Sequence, residues 1–135
     1  MNYRSLIEAA SAVRASVNAS YYRLPGKNSR YFYRGEWKGE SKPPERLSAS
    51  TELFDFLKEN GRAVVALSRR EAPMKGLFLD EDSESAVAFP FLHGPSGELS
   101  GVLFLSSPGP LAFSGTCIEK VERLIALSGP PEENR

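Results

Sequence analysis

Two segments near the C-terminal end decide the fold: residues 86–92, Ala-Val-Ala-Phe-Pro-Phe-Leu, and residues 97–105, Gly-Glu-Leu-Ser-Gly-Val-Leu-Phe-Leu. Both are rich in aliphatic and aromatic residues, which favour strands. Glycine and proline at positions 94–97 lie between them and favour a turn. This pattern predicts an antiparallel hairpin with strands at 85–92 and 99–106.

Single residues in and after this hairpin refine the prediction. Pro90 has no amide hydrogen and therefore suits the edge or the end of a strand. Gly101 indicates that another backbone or a helix comes close to the second strand. Ser114 is the predicted N-cap of a final helix at 113–128. The buried side of that helix would carry Cys117, Ile118, Val121, Leu124 and Ile125.

The N-terminal part predicts an amphipathic helix followed by a second hairpin. Two aromatic segments, 19–24 and 30–37, flank a Pro-Gly-Lys-Asn turn and predict paired strands. The helix is expected within residues 2–18, where apolar side chains recur at three- and four-residue spacing. These side chains are Tyr3, Leu6, Ile7, Ala10, Val13 and Val17.

The middle of the chain alternates short regular elements with loops. A brief extended stretch at 45–49 leads into a second helix, for which Ser50 is the predicted N-cap and Gly61 the stop. A buried strand at 62–67 follows, and then a long irregular segment at 68–84. The second helix is expected to bury Leu53, Phe54 and Leu57, and the irregular segment to form one or two helical turns around Met74, Leu77 and Phe78.

This order of elements predicts an α+β fold with a central antiparallel sheet of about six strands. The N-terminal and C-terminal helices are expected to cover one face of the sheet, and the second helix with the irregular loops to cover the other. Residues 1–135 are expected to form a single domain, with the sheet and its insertions at 19–107 and a polar tail at 129–135.

Composition excludes several classes of protein. No apolar run reaches the roughly 18 residues of a membrane helix and no secretory leader is evident, so we expect a cytoplasmic protein without a membrane partner. Cys117 is the only cysteine and His93 the only histidine, which argues against a disulfide framework or a thiolate or histidine metal site. Residues 1–50 hold nine Lys and Arg against four Asp and Glu, but residues 51–100 reverse the sign with five against nine. Such a balance does not favour a nucleic-acid partner.

The C-terminal hairpin and helix resemble the second half of a GAF domain. That family shows a strand with an apolar-Pro-apolar step, as at 89–91, then a turn bearing glycine, as at Gly97. A second strand with a small residue followed by Gly-Val-Leu, as at 100–103, precedes a Phe-Ser step into the last helix, as at 113–114. The helix-then-strand step at 53–67 and the aromatic hairpin are also similar to the family. The resemblance implies a GAF-like fold, which is profilin-like and related to PAS domains.

The resemblance also implies a ligand pocket between the sheet and the loops, on the face opposite the terminal helices. Aromatic rings there could stack on a planar ligand, and an arginine could pair with a phosphate or carboxylate. The same positions also suit core packing or a solvated loop. The implied ligand-binding residues are Tyr33, Arg34, Thr51, Arg69, Arg70, Phe89 and Phe91.

The chain also departs from well-known members of the family. The Asn-Lys…Phe…Asp-Glu motif of cyclic-nucleotide-binding members is absent from the sequence, and the stretch where an acidic residue is common reads Ser68-Arg69-Arg70. Cys117 is expected to be a core residue, and one cysteine does not support the thiol cycle of free methionine sulfoxide reductases. His93 is expected to be an exposed turn residue. Asp80-Glu81-Asp82 is expected to be a solvated loop and not a cation site.

These observations lead to two functional expectations. The first is a non-catalytic sensor or regulatory domain of signal transduction that binds a small molecule of unknown identity and is not an enzyme. The second is a degenerate GAF fold whose pocket is filled by its own aromatic side chains and which serves dimerisation or partner binding. In either case a homodimer through the first and last helices is expected.

Overall fold

The computed structural model describes residues 1–13, 18–110 and 112–133. The predicted continuation of the first helix through Val17 lies outside the described residues. The regular elements are α1 (Tyr3–Ala12), β1 (Asn18–Arg23), β2 (Tyr31–Lys38), β3 (Arg46–Ser48), α2 (Glu52–Asn60), β4 (Val64–Ala66), β5 (Ser85–His93), β6 (Glu98–Ser107) and α3 (Gly115–Ser128), with one short 3₁₀ turn at Arg69–Glu71.

The strands form one six-stranded sheet in the order β3-β2-β1-β6-β5-β4. Every neighbouring pair is antiparallel, which confirms the predicted sheet and both predicted hairpins. In the C-terminal hairpin, Phe89 pairs with Leu103 and Ser85 with Ser107. The chain thus brings β1, from the N-terminal hairpin, against β6 at the centre of the sheet.

The terminal helices cover one face of the sheet, as predicted; we call it the helix-covered face. Leu6 and Ile7 of α1 and Val121 of α3 are buried there against Phe89 and Leu103. Burying large apolar side chains of this kind stabilises a fold by about 1.5–3 kcal/mol each.

The opposite face lies beneath α2 and the loops, also as predicted; we call it the loop-covered face. Tyr22, Phe32, Phe54 and Phe104 are all buried on this side, together with Leu53 and Leu57 of α2 and Leu77 from the long loop. Two separate apolar cores therefore lie on the two sides of one sheet.

Helix ends follow the expected chemistry, with one shift. Ser114 caps α3, because its side chain accepts a hydrogen bond from the amide of Cys117 at 3.3 Å. Gly61 ends α2 in the left-handed conformation that favours glycine, with a φ of 62°. The prediction of Ser50 as the N-cap of α2 is wrong by one residue: Thr51 has the extended backbone, and its Oγ1 accepts from the amide of Phe54 at 3.3 Å.

The long irregular segment differs from its prediction. Its one helical turn among the described residues is the 3₁₀ turn at Arg69–Glu71, and residues 74–78 form bends and a turn instead of helix. Pro73 and Gly76, which has a φ of +93°, interrupt the segment on both sides of Met74. Of the expected apolar stripe, Leu77 is fully buried, and Met74 and Phe78 pack partly buried against the same core.

Gly101 is a point of close approach, but by a side chain. A Cβ atom added at Gly101 would lie within 2.6 Å of Cζ and 2.9 Å of Cε1 of the Tyr21 ring, and closer still to its hydroxyl oxygen. The expectation of a neighbouring backbone or helix is therefore wrong. The Tyr21 ring fills the space that the side chain of any larger residue at position 101 would need.

Among the described residues, no helix combines the length and the hydropathy needed to cross a membrane.

Candidate functional site

The seven residues implied by the resemblance do not converge on one pocket. Phe89 and Phe91 are 1% exposed and belong to the helix-covered core, where Phe91 packs edge to face on Tyr21 at 5.3 Å. Side chains alternate along a strand, so Ala86 and Ala88 take the loop-covered side of β5. The assumption that the two phenylalanines face the pocket side of the sheet is therefore wrong.

Tyr33 also lies away from the loop-covered face. Its neighbour Phe32 is buried on that face, so the alternation places Tyr33 on the opposite side of β2. The side chain is 38% exposed and its ring lies 6.4 Å from that of Tyr31. The guanidinium of Arg46 lies over the Tyr31 ring at 4.3 Å. The tyrosine pair lies on the surface of β2, next to the edge strand β3.

Arg34 does reach the loop-covered side, where it holds a neighbouring segment. Its Nη1 donates to the carbonyl of Pro43 at 2.6 Å, and its backbone amide donates to the carbonyl of Glu45 at 2.9 Å. The hydroxyl of Tyr22 donates to the carbonyl of Pro44. Burial raises the pKa of Tyr22 above its ordinary range, and the nearby Arg34 lowers it by less. Together these two side chains fasten residues 39–45, which we call the strap.

Arg69 is engaged in a similar way within the long loop. Its Nε donates to the carbonyl of Ser83 at 2.9 Å and its Nη2 to that of Asp80 at 2.8 Å, while the guanidinium lies 4.4 Å from the ring centre of Phe78. Arg70 is exposed, and Thr51 caps α2. Two of the three guanidinium nitrogens of Arg69, Nε and Nη2, thus donate to the protein's own backbone.

The polar centre of the loop-covered side is Asp80, which sequence reasoning missed. Its Oδ1 accepts from the amides of Ser83 at 2.7 Å and Asp82 at 3.1 Å, and its Oδ2 from the hydroxyls of Ser83 at 2.9 Å and Ser106 at 3.2 Å. Asn18 Nδ2 adds a longer contact at 3.5 Å. The side chain is only 11% exposed, so the expectation of a solvated acidic loop is wrong for this residue.

One local signal could have revealed part of this arrangement. An aspartate followed by serine three residues later commonly closes a turn through its carboxylate. The contacts of Asp80 with Asn18 and Ser106 join residues that are 62 and 26 positions apart in the sequence, so no local pattern predicts them.

Beside Asp80 the loop-covered face holds a cavity of only about 20 Å³, lined by Asn18, Ser20, Asp80, Phe104 and Ser106, among other residues. That is room for about one water molecule. A surface groove of about 610 Å³ adjoins it and shares Asn18, Lys38 and Ser41 with its lining. The site in this conformation is therefore a closed pocket beside an open groove.

Cys117 lies on the other side of the sheet. It is half-buried in the first turn of α3 and lines a cavity of about 10 Å³ with Phe89 and Phe113. The expectation of a core residue is thus met only in part. His93 is exposed at the end of β5, as predicted.

No family model matches the sequence, and no curated protein matches it. Solved structures do match the fold. A type II free methionine-R-sulfoxide reductase from Thermoplasma acidophilum has a TM-score of 0.73 at 15% identity, with 91% of this chain and 84% of that chain covered. The GAF domain/HD domain protein from Geobacter sulfurreducens has a TM-score of 0.71 at 12% identity, covering 92% and 84%. The GAF domain from Acinetobacter phosphoenolpyruvate-protein phosphotransferase has 0.68 at 19%, covering 93% and 75%.

These structures define the class: the chain has a GAF-like α+β fold, and the resemblance seen in its sequence is confirmed. They also correct the prediction that the chain is not an enzyme. Free methionine-R-sulfoxide reductases share this fold, with TM-scores from 0.64 to 0.73. Because those proteins are reductases, a GAF-like fold does not by itself indicate a non-catalytic domain.

Proposed function

We propose that this chain is a regulatory domain of signal transduction whose ligand pocket is closed by its own side chains and which acts through contact between two copies of the chain. The observation that carries the proposal is the cavity of about 20 Å³ on the loop-covered face. Pockets that enclose small organic ligands measure about 300–1,000 Å³.

The closure rests on interlocked aromatic rings. Phe32 and Phe54 stack with ring centres 4.2 Å apart, and Phe104 meets Phe54 edge to face at 6.4 Å and Tyr22 at 5.6 Å. Each such pair contributes about 0.5–1.5 kcal/mol beyond its buried area. Opening a ligand-sized space here requires separating several of these pairs at once, which makes the closed state the favoured one.

Incomplete burial of the apolar side chains of α3 supports a contact between two copies. Within the described part of this helix only Val121 is fully buried, while Ile118, Leu124 and Ile125 are partly exposed and Leu127 is 82% exposed. A second copy would bury the flank of α3 on which Leu124 and Leu127 lie three residues apart, and its own α3 offers the matching surface in a twofold arrangement.

The first helix lies beside this surface. Asn2 and Glu132 form a parallel backbone bridge, so the start of α1 and the segment after α3 run together. Ala12 near the end of α1 is exposed and small, which allows a neighbouring helix to come close. Both terminal helices can therefore contribute to one interface.

A second candidate function is the binding of a small polar molecule in the groove beside Asp80. The groove measures about 610 Å³ and is lined by Lys38, Glu40 and Asp82, among other residues. Its volume is sufficient for a metabolite, and Asp80 ties its floor residue Asn18 to the long loop. Occupation of the groove would bias the loop and, through the sheet, the terminal helices.

The test of the main proposal is the mass in solution. Light scattering on a sizing column should give twice the chain mass for the wild type and the chain mass for Leu127→Glu. The matched control is Leu92→Glu, which changes an exposed leucine, 37% accessible, on β5 beside the C-cap of α2 and should remain a dimer. A monomeric wild type, or a Leu127→Glu variant that stays dimeric, contradicts the proposal.

The pocket is tested separately by thermal shift against a library of metabolites, with free methionine-R-sulfoxide assayed for turnover. We expect no stabilisation by compounds that need the loop-covered core to open. Stabilisation that is lost in Asp82→Lys would favour the groove as a sensor site. Turnover of the sulfoxide would replace the regulatory proposal with an enzymatic one.

A further inference from the structure

A second groove lies at the opposite end of the sheet, where two tight turns meet the last turn of α2. It measures about 470 Å³ and is lined by Leu24, Lys27, Asn28, Lys58, His93 and Leu99, among other residues. We call it the turn groove. Its volume falls within the range of about 300–1,000 Å³ that small-molecule sites occupy.

Donor side chains converge on the turn groove from three separate elements. Lys27 and Asn28 come from the turn between β1 and β2, Lys58 from α2 and His93 from the end of β5. Within the described residues, none of these four side chains makes an ion pair or a side-chain hydrogen bond. This contrasts with Arg34 and Arg69, whose guanidinium groups are committed to backbone carbonyls.

The charge of the turn groove favours an anion. Among the described lining residues, Lys27 and Lys58 are accompanied by one carboxylate, Glu98, which is paired in register with His93 across the two strands. An ammonium group recognises a carboxylate, sulfonate or phosphate through charge-assisted hydrogen bonds, and Asn28 and His93 can donate further hydrogen bonds.

The walls of the turn groove are apolar as well. Leu24 is partly exposed and Leu99 is almost fully buried, and Pro25 lies between Leu24 and the turn. Gly26 leaves the opening clear, because a Cβ atom added there would meet no heavy atom within 4 Å. A ligand that fits both features has an apolar body and an anionic group.

We propose that the turn groove is a binding site for an amphipathic organic anion. The turn groove shares no lining residue with the groove beside Asp80 and does not depend on the proposed dimer. Two lysines from different elements would hold the anionic group while the leucines contact the apolar body.

The test uses a matched pair of fluorescent probes on the full chain. Anilinonaphthalene sulfonate carries an anionic group on an aromatic body, and phenyl naphthylamine has the same aromatic body without the charge. We expect the sulfonate to bind at least about tenfold more tightly, which corresponds to about 1.4 kcal/mol. Amide proton–nitrogen correlation spectra should show its largest shifts at Gly26, Gly97 and Ser100. Equal affinity of the two probes, or shifts confined to other residues, overturns the proposal.

Two variants test the location of the binding site, one by reversing a charge and one by filling the groove opening. Lys58→Glu should weaken the sulfonate about tenfold or more and leave phenyl naphthylamine unchanged, whereas Lys75→Glu, an exposed lysine on the long loop, should change neither. Gly26→Trp should abolish binding of both probes, because it fills the opening at a position with free space and no positive φ. Retention of sulfonate binding in both Lys58→Glu and Gly26→Trp refutes the site, provided that circular dichroism shows both variants folded.

Discussion

Replacing Gly101 with alanine tests how the helix-covered core is packed. The added Cβ would lie 2.6 Å from Cζ of Tyr21 and even closer to its hydroxyl oxygen, far inside the contact distance of about 3.5–4.0 Å. The ring cannot easily yield, because Tyr3 packs on it at 5.0 Å and Phe91 at 5.3 Å. Overpacking of a well-filled core costs about 1–3 kcal/mol, and this rigid contact places Gly101→Ala at about 2–3 kcal/mol.

Urea unfolding followed by circular dichroism measures this loss directly. The same cost should lower the melting temperature by about 3–4 °C per kcal/mol for a chain of 135 residues. Gly115→Ala is the matched control, because its added Cβ meets nothing within 4 Å at the start of α3, and it should be neutral or stabilising by up to about 1 kcal/mol. A Gly101→Ala variant within about 0.5 kcal/mol of the wild type would refute the packing argument.

Three further predictions concern polar groups. Asp80→Asn should destabilise the chain by about 1–3 kcal/mol in urea unfolding, because a carboxylate with several donors is replaced, whereas the exposed Asp82→Asn should change stability by less than about 0.5 kcal/mol. Tyr22→Phe should cost about 1 kcal/mol and raise the amide exchange rate of residues 39–45, since it removes one fastening of the strap; unchanged exchange there would contradict that role. Burial raises the pKa of both Tyr21 and Tyr22 well above the ordinary value of 10.0. The unfolded chain therefore loses these protons first, and the free energy of unfolding should fall above about pH 10, by up to about 1.4 kcal/mol per pH unit for each residue. A flat stability profile between about pH 9 and pH 11 would contradict the burial of these hydroxyls.

The C-terminal hairpin was predictable because its information is local. Runs of aliphatic and aromatic residues, a turn rich in glycine and proline, and a serine before a helix each act within a few residues of sequence. The N-terminal hairpin has the same kind of signal, and both appear in the sheet. Pairing of β1 with β6 joins Asn18 to Ser106, and no local pattern in the sequence indicates it.

Which face a strand residue takes is harder to read. Phe89 and Phe91 share a face by simple alternation, but the sequence does not say which face. Small residues were the available clue: Ala86 and Ala88 alternate with the larger side chains of β5, and they lie where α2 and the loops press closely on the sheet. Because the alanines leave room for α2 and the phenylalanines do not, this pattern favours placing Phe89 and Phe91 toward the terminal helices.

The long loop shows why charged residues mislead when read singly. In the sequence, Arg69 and Asp80 both suggested contact with solvent or ligand. In the structure they contact each other, with Arg69 Nη2 2.8 Å from the carbonyl oxygen of Asp80 and 3.8 Å from its carboxylate. A partly buried charge is stable only when its hydrogen bonds are satisfied, and here Ser83 and Ser106 complete the set. Because nearly every acceptor of Asp80 is already used, a ligand could engage this carboxylate only by displacing bonds that hold the loop to the sheet. The loop is therefore better understood as the fixed wall of the closed pocket than as an arm that reaches for a ligand.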